Sequence, residues 1–276
     1  MTWVIGGGVM TGYAIGLSDI RITFADGSER DCLQKIYPVG PNIAAAFAGS
    51  VAIGFELIQN LTALLHVPKD SEPVGFDPVE IADRWPAEAR RIFAAQPAEE
   101  RDLQSHIMLL GVSPLAHNGN PAWPRTEIYT LKSPDFSPRK AQPHEYLAIG
   151  IGASVFENDL RKLSENNDRR MILMQGEMGN LGGMGTMLAI HFTDIVRRHQ
   201  PRGISSHLHL CWVFLDRIVI RTNDHLLTGR WSGWNLGPDV TADIETNFTM
   251  PIIARGYQEL QQVIQKSGQA IRAAVA

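Results

Sequence analysis

Four residues in the first fifty have the types and the order that amide hydrolysis requires: Thr2, Asp19, Lys35 and Gly49. If Met1 is removed, Thr2 becomes the amino terminus, and one residue then carries both a hydroxyl nucleophile and an amine to act as its base. A lysine cation held nearby lowers that amine's pKa from its ordinary value of about 7.7–8.0, and a carboxylate holds the lysine in place. Gly49 precedes a helical pattern, where a free backbone N–H stabilises an oxyanion with help from the helix dipole. Each residue also has an ordinary use. A small residue at position two permits methionine removal, Asp19 with Arg21 makes a local ion pair, lysines are solvated, and glycine closes turns. The set and its order favour the chemistry.

The elements that must position these residues are legible in the hydrophobic pattern. Short strands are expected at "TWVIGG", "GYAIGLSD", "RITFAD", "KIYPV" and "NIAAAFAG", with turns at Gly6 to Gly8 and at "ADGS", residues 25 to 28. Asp19 then closes the second strand and Lys35 opens the fourth, both at edges where a side chain turns inward. From Ser50 the period becomes helical, with Val51, Phe55, Ile58, Leu61 and Leu65 on one face. "FDPVEIADRW" starts a second helix, with Asp77 as N-cap, Pro78 at its first position and Glu80 completing a capping box. Strands return at "HIMLLGVS", "RTEIYTLK" and "EYLAIGIG", the last read as a buried central strand, with loops such as "HNGNPAWP" between them. Helices follow at "ASVFENDLRKL" and "GTMLAIHFTDIVRRH", then strands "HLHLCWVFL" and "RIVIRTND" around a turn at Asp216 and Arg217. Strands, two helices, strands, two helices, strands is an order that two sheets between helix layers would bury. The segment "PIIARGYQELQQVIQKSGQAIRAAV" places Tyr257, Leu260, Ile264 and Ile271 on one helical face.

The 276 residues are 44% hydrophobic and 20% charged, an ordinary globular composition. With 25 Lys plus Arg against 29 Asp plus Glu the net charge is −4, which gives no nucleic-acid footprint. No run of apolar residues reaches the length of a bilayer span, and no secretory signal pattern opens the chain, so neither a membrane nor export is expected. Cys32 and Cys211 are too few and too far apart for a disulfide framework or a Cys-x-x-Cys site, and point to a reduced, cytoplasmic compartment.

Over "TWVIG", "GYAIGLSDIR" and "QKIYPVGPNIAAAFAGSVAIGFELI" the chain resembles proteasome β-type subunits and their bacterial homologues, members of the amino-terminal nucleophile (Ntn) hydrolase superfamily. The matching positions are Thr2, Asp19 with Arg21, Lys35, and Ala45 to Gly49. One extra residue separates threonine from aspartate, within "GGGVMTG". The likeness weakens after residue 55 and runs through the order of elements to about Asp224, with "AIGIGAS" in place of a Gly-Ser-Gly segment. Ile151 stands where that family often has a serine and Arg202 where an aspartate is common, while Ser205 agrees with the serine that follows.

The resemblance implies an α+β fold, a four-layer αββα sandwich of the Ntn-hydrolase type over residues 1–224, with residues 225–276 as a carboxy-terminal extension. It implies a threonine-type endopeptidase with Thr2, Asp19, Lys35, Gly49 and Ser205 in the catalytic set. Phe47 and Val51 would lie near the residue preceding the cleaved bond and favour a modest apolar side chain. No cofactor or metal is implied. The partners would be peptide or unfolded protein substrate, further copies of the chain in a homo-oligomeric ring, and an ATPase unfoldase that feeds it. Two alternatives stay open: a catalytically silent scaffold that keeps the fold, which Ile151 and Arg202 favour, and an amidohydrolase of a small amide. "GNLGGMG" lacks the Lys-Ser/Thr ending of a phosphate loop and reads as a linker. His207 and His209 share a strand face without a third metal ligand placed by sequence. Trp231 and Trp234 read as core or interface residues.

Overall fold

The computed structural model describes residues 3–9, 12–24, 26–67, 75–117, 120–143, 145–162, 165, 183–222, 258, 259, 262 and 273–275. Among these residues the fold is mixed α/β with antiparallel sheets. The first sheet is built from β1 (Val4–Val9), β2 (Tyr13–Asp19), β10 (Tyr146–Ile149), β11 (Leu208–Val213) and β12 (Ile218–Thr222), in the order β10-β1-β2-β11-β12. The second contains β3 (Arg21–Phe24), β4 (Glu29–Asp31), β5 (Ile36–Pro38), β6 (Ile43–Ser50), β7 (Ser105–His117), β8 (Asn120–Lys132), β9 (Ser137–Lys140) and β13 (Ala273–Val275). Its order is β4-β3-β13-β6-β7-β8-β9, with β5 also paired to β6.

The apolar run of β6 is buried on both faces, as a strand between two packed layers must be. Its alanines Ala44, Ala46 and Ala48 join Val4, Ala14, Met108, Leu110, Leu147, Cys211 and Val213 in a core shared by both sheets. Ala45, Phe47 and Tyr37, on the other side of the second sheet, pack with α1 (Val51–Leu64), α2 (Pro78–Arg84) and α3 (Pro86–Ala94). A third core joins Trp3, and Ile15, Leu17, Leu208 and Leu210 of the first sheet, to Phe156 and to Leu188, Phe192 and Ile195 of α6 (Gly183–His199). Two shorter helices are α4 (Ala98–Asp102), which precedes β7, and α5 (Gly152–Val155), which follows β10.

Most expected elements form where the pattern places them, and the helix starts are chemically explicit. Ser50 caps α1 by accepting from the amide of Ile53, and Asp77 caps α2 by accepting from that of Val79.

Four expectations are corrected. Gly6 to Gly8 form no turn but lie inside β1, because the two sheets approach too closely there for a side chain: a Cβ on Gly6 would stand 2.5 Å from Leu110. The "HNGNPAWP" loop is largely strand. β7 and β8 extend as one long hairpin whose register shifts between Ser113 and Ala116, and Pro124, which has no N–H to donate, pairs at that irregularity. β10 is buried yet lies at the edge of its sheet, because its burial comes from layers above and below and not from strands on both sides. Finally, Ala273 to Val275 are not helical but form β13, between β3 and β6, so part of the expected extension completes the second sheet.

His106, on β7, supplies a pH-dependent term in stability. Burial, with a smaller contribution from the nearby Lys132, lowers its pKa from 6.5 to about 4. The unfolded chain therefore binds a proton that the folded chain refuses, and stability falls as pH drops through the window from about 6.5 to about 4. Thermal melts of wild type and His106→Gln should diverge by about 2 kcal/mol across that window, with wild type losing more. Parallel curves would mean that His106 is solvated.

Candidate active site

Asp19 ends β2 and Lys35 precedes β5, and the fold brings them together with both side chains fully buried. Lys35 Nζ donates to Asp19 Oδ1 at 2.8 Å and to the Arg21 carbonyl at 2.7 Å. Asp19 accepts two backbone amides as well, that of Trp3 on Oδ1 at 2.9 Å and that of Arg21 on Oδ2 at 2.9 Å. Two dehydrated charges are tolerated only with this degree of hydrogen bonding. Burial pulls the Lys35 pKa below its ordinary value, while the charge and hydrogen bond of Asp19 and the charge of Asp31 work against that fall.

Thr2 lies outside the described residues, but its covalent neighbour is Trp3, whose amide shares an acceptor oxygen with the Lys35 ammonium. Trp3 is itself fixed: it is fully buried, its ring centroid is 4.7 Å from that of Phe156 and 4.6 Å from that of Phe192, and its carbonyl accepts the Asp19 amide.

Ser205 belongs to a second polar cluster that adjoins the first. Its hydroxyl donates to Asp31 Oδ2 at 2.6 Å, and His207 Nδ1 lies 3.2 Å from both Ser205 Oγ and Asp31 Oδ2. Arg21 links the clusters. Its backbone contacts Asp19 and Lys35, while its guanidinium donates to Asp31 at 2.7 and 3.2 Å and to Glu29 at 3.1 Å. Burial alone would raise the Asp31 pKa, but hydrogen bonds from His207, Arg21 and Ser205 outweigh it and hold the carboxyl far below the usual range.

Asp31 and His207 were missing from the expected site. The signal for Asp31 is the alternation Glu29-Arg30-Asp31, which puts both acids on one face of a strand beside Arg21. Arg202, where an aspartate was expected, is largely exposed, with its Nε 3.9 Å from Glu29. Ser205 bonds to the carboxylate of Asp31 instead.

No protein-family model matches the sequence, and no curated protein is significantly similar to it.

Gly49 sits at the end of β6 with φ +101°, beside Ser105 on one neighbouring strand and Val275 on the other. Phe47 and Val51 are in the core, 0% and 2% exposed, and the Phe47 ring packs on Tyr37 and Phe55. Ile151 is exposed and follows the turn at Gly150; the next residue, Gly152, lies so close to Trp3 that a Cβ there would stand 2.2 Å from the indole. Burial pushes the Cys32 thiol up to about 11 and raises Cys211 too, so neither cysteine supplies a thiolate at neutral pH. Among the described residues no three His, Cys, Asp or Glu side chains gather as a metal site, and no helix is long and apolar enough to cross a membrane. "GNLGGMG" falls mostly outside the described residues, as do Trp231, Trp234, Tyr257, Leu260, Ile264 and Ile271.

Proposed function

We propose that the chain is an amino-terminal nucleophile hydrolase of threonine type, cleaving peptide bonds with Thr2 once Met1 is removed. The observation that carries this reading is the fully buried Lys35 ammonium, held by Asp19 on the same carboxylate oxygen that fixes the amide of Trp3, the residue bonded to Thr2. In this mechanism the Thr2 hydroxyl attacks the amide carbonyl and its proton passes to the Thr2 amine, whose pKa the neighbouring cation lowers. The negative oxygen of the tetrahedral intermediate accepts the Gly49 N–H. The C–N bond then breaks, the leaving amine takes the proton from the Thr2 amine, and water hydrolyses the ester. Ser205 and Asp31, joined to Lys35 through Arg21, act as positioning residues.

Two face-to-face sheets with helices on their outer faces support the four-layer αββα sandwich of the superfamily. The same reading makes the protein a cytoplasmic, ring-forming homo-oligomer that shelters its threonines and is served by an ATPase unfoldase. The exposed Ile151, an apolar side chain where a hydroxyl would help, favours a silent scaffold as the second reading.

Intact mass decides between the two. A peptide epoxyketone closes a ring on a hydroxyl and an amine of one residue, so it adds its mass only where Thr2 is a free, activated terminus. The expected result is loss of Met1 and one adduct per chain, absent in Thr2→Ala. A chain that has lost Met1 and stays unlabelled is the scaffold.

A further inference from the structure

The second sheet contains a place for one strand that local chain geometry does not fill. β3 and β6 are not bonded to each other; each is bonded antiparallel to β13, so they run parallel with one strand between them. Ala273 stands opposite Phe24, Ala274 opposite both Thr23 and Ser50, and Val275 opposite Gly49. β5 occupies the same edge of β6 further back, at Ala44 to Ala46, so the slot is confined to the end of β6. That end carries the candidate oxyanion glycine, and β3 begins at Arg21, whose backbone holds Asp19 and Lys35.

An extended peptide inserted here bonds through its backbone to an edge on each side, which is recognition by strand addition from two edges at once. From Ala273 to Val275 the chain runs toward Arg21 along β3 and from Ser50 to Gly49 along β6, so a peptide that follows it enters between the two candidate-site residues Arg21 and Gly49.

We propose that Ala273–Val275 is an intramolecular occupant of this peptide slot, an autoinhibitory strand that a substrate peptide must displace. The proposal rests on the function proposed above for its meaning, and not for its test, which reads binding alone. A tethered strand competes at an effective concentration on the order of millimolar, and a peptide's apparent affinity falls by the fraction of molecules whose slot is closed. Three residues of pairing make the occupant displaceable.

The test uses the full chain carrying Thr2→Ala, which cannot hydrolyse the probe, and a fluorescein-labelled peptide copying residues 270–275, followed by anisotropy. Ala273→Pro with Ala274→Pro removes two ladder donors and should tighten peptide binding at least tenfold. A disulfide lock, Thr23→Cys with Ala274→Cys, should exclude the peptide when oxidised and admit it when reduced. Equal binding by the oxidised and reduced lock, or no gain in the proline variant with its melting temperature unchanged, overturns the proposal. Should the proline variant fail to fold, the lock decides alone. Absence of epoxyketone labelling with the binding results intact would instead remove the hydrolase reading and leave a peptide-binding slot.

Discussion

Lys35→Met is expected to lose epoxyketone labelling by roughly 10²- to 10⁴-fold and to melt roughly 10 °C or more below wild type. The stability loss follows from burial. Asp19 and Lys35 are fully buried side chains, and removing the cation leaves a carboxylate with two backbone amides but no opposite charge, a change that costs about 3–5 kcal/mol in comparable buried pairs. The reactivity loss has a different origin: without a neighbouring cation the Thr2 amine returns to its ordinary pKa, which costs about tenfold at neutral pH, and the rest of the loss is that of a positioned proton-transfer partner beside the terminus. The double variant Asp19→Asn with Lys35→Met separates the two effects. With both charges gone, the new asparagine side chain still accepts a backbone amide and the new methionine fills the volume, so most of the stability returns. Reactivity does not. Measuring the melting temperature and labelling rate of the three proteins therefore tests the chemistry without confounding it with folding, and a double variant that labels at the wild-type rate would reduce Asp19 and Lys35 to a structural ion pair.

This pair was legible in the sequence because two opposite charges stand at the edges of apolar strands, where a side chain can turn inward, and they belong to an ordered set. Asp19 closes one such strand and Lys35 opens another, and a buried site is one of few places that can take both. Asp31 was not legible in the same way. Its partner Ser205 is 174 residues away, and its strand, Glu29–Asp31, is three residues long with no apolar pattern to announce it. Gly6 to Gly8 misled because sequence shows a glycine's freedom but not the facing layer that requires it; only the packing of Leu110 and Met108 reveals a strand. β13 misled for the opposite reason. An alanine-rich stretch at helical spacing has good intrinsic helix propensity, and two waiting strand edges override it. Phe47 and Val51 fall on β6 and α1 where the pattern places them, but neither the pattern nor the resemblance says which layer covers their face. Here α1 closes it.

Gly49→Ala is expected to lower peptide turnover by roughly 10²- to 10³-fold through kcat, with the pH dependence of the remaining activity unchanged. Gly49 has φ +101°, a backbone conformation that side chains resist, and an added Cβ would stand 2.4 Å from the Gln104 carbonyl oxygen. That oxygen has no freedom to withdraw. It accepts the Ser50 amide at 2.8 Å, and Gln104 is itself at φ +56°. The strand end must therefore move, turning the Gly49 N–H away from the place where a developing oxyanion would meet it, at a stability cost of about 2–4 kcal/mol. The two candidate roles leave different signatures. Loss of the oxyanion donor weakens binding of the transition state alone, so kcat and kcat/KM fall together while the amine that governs the pH profile is untouched. A displacement that spreads along β6 to Lys35, whose carbonyl accepts the Phe47 amide, would instead shift the pH profile. Kinetics on a fluorogenic peptide below the variant's melting range distinguish them. An unchanged kcat would remove Gly49 from the site and leave its positive φ as a requirement of the turn into α1.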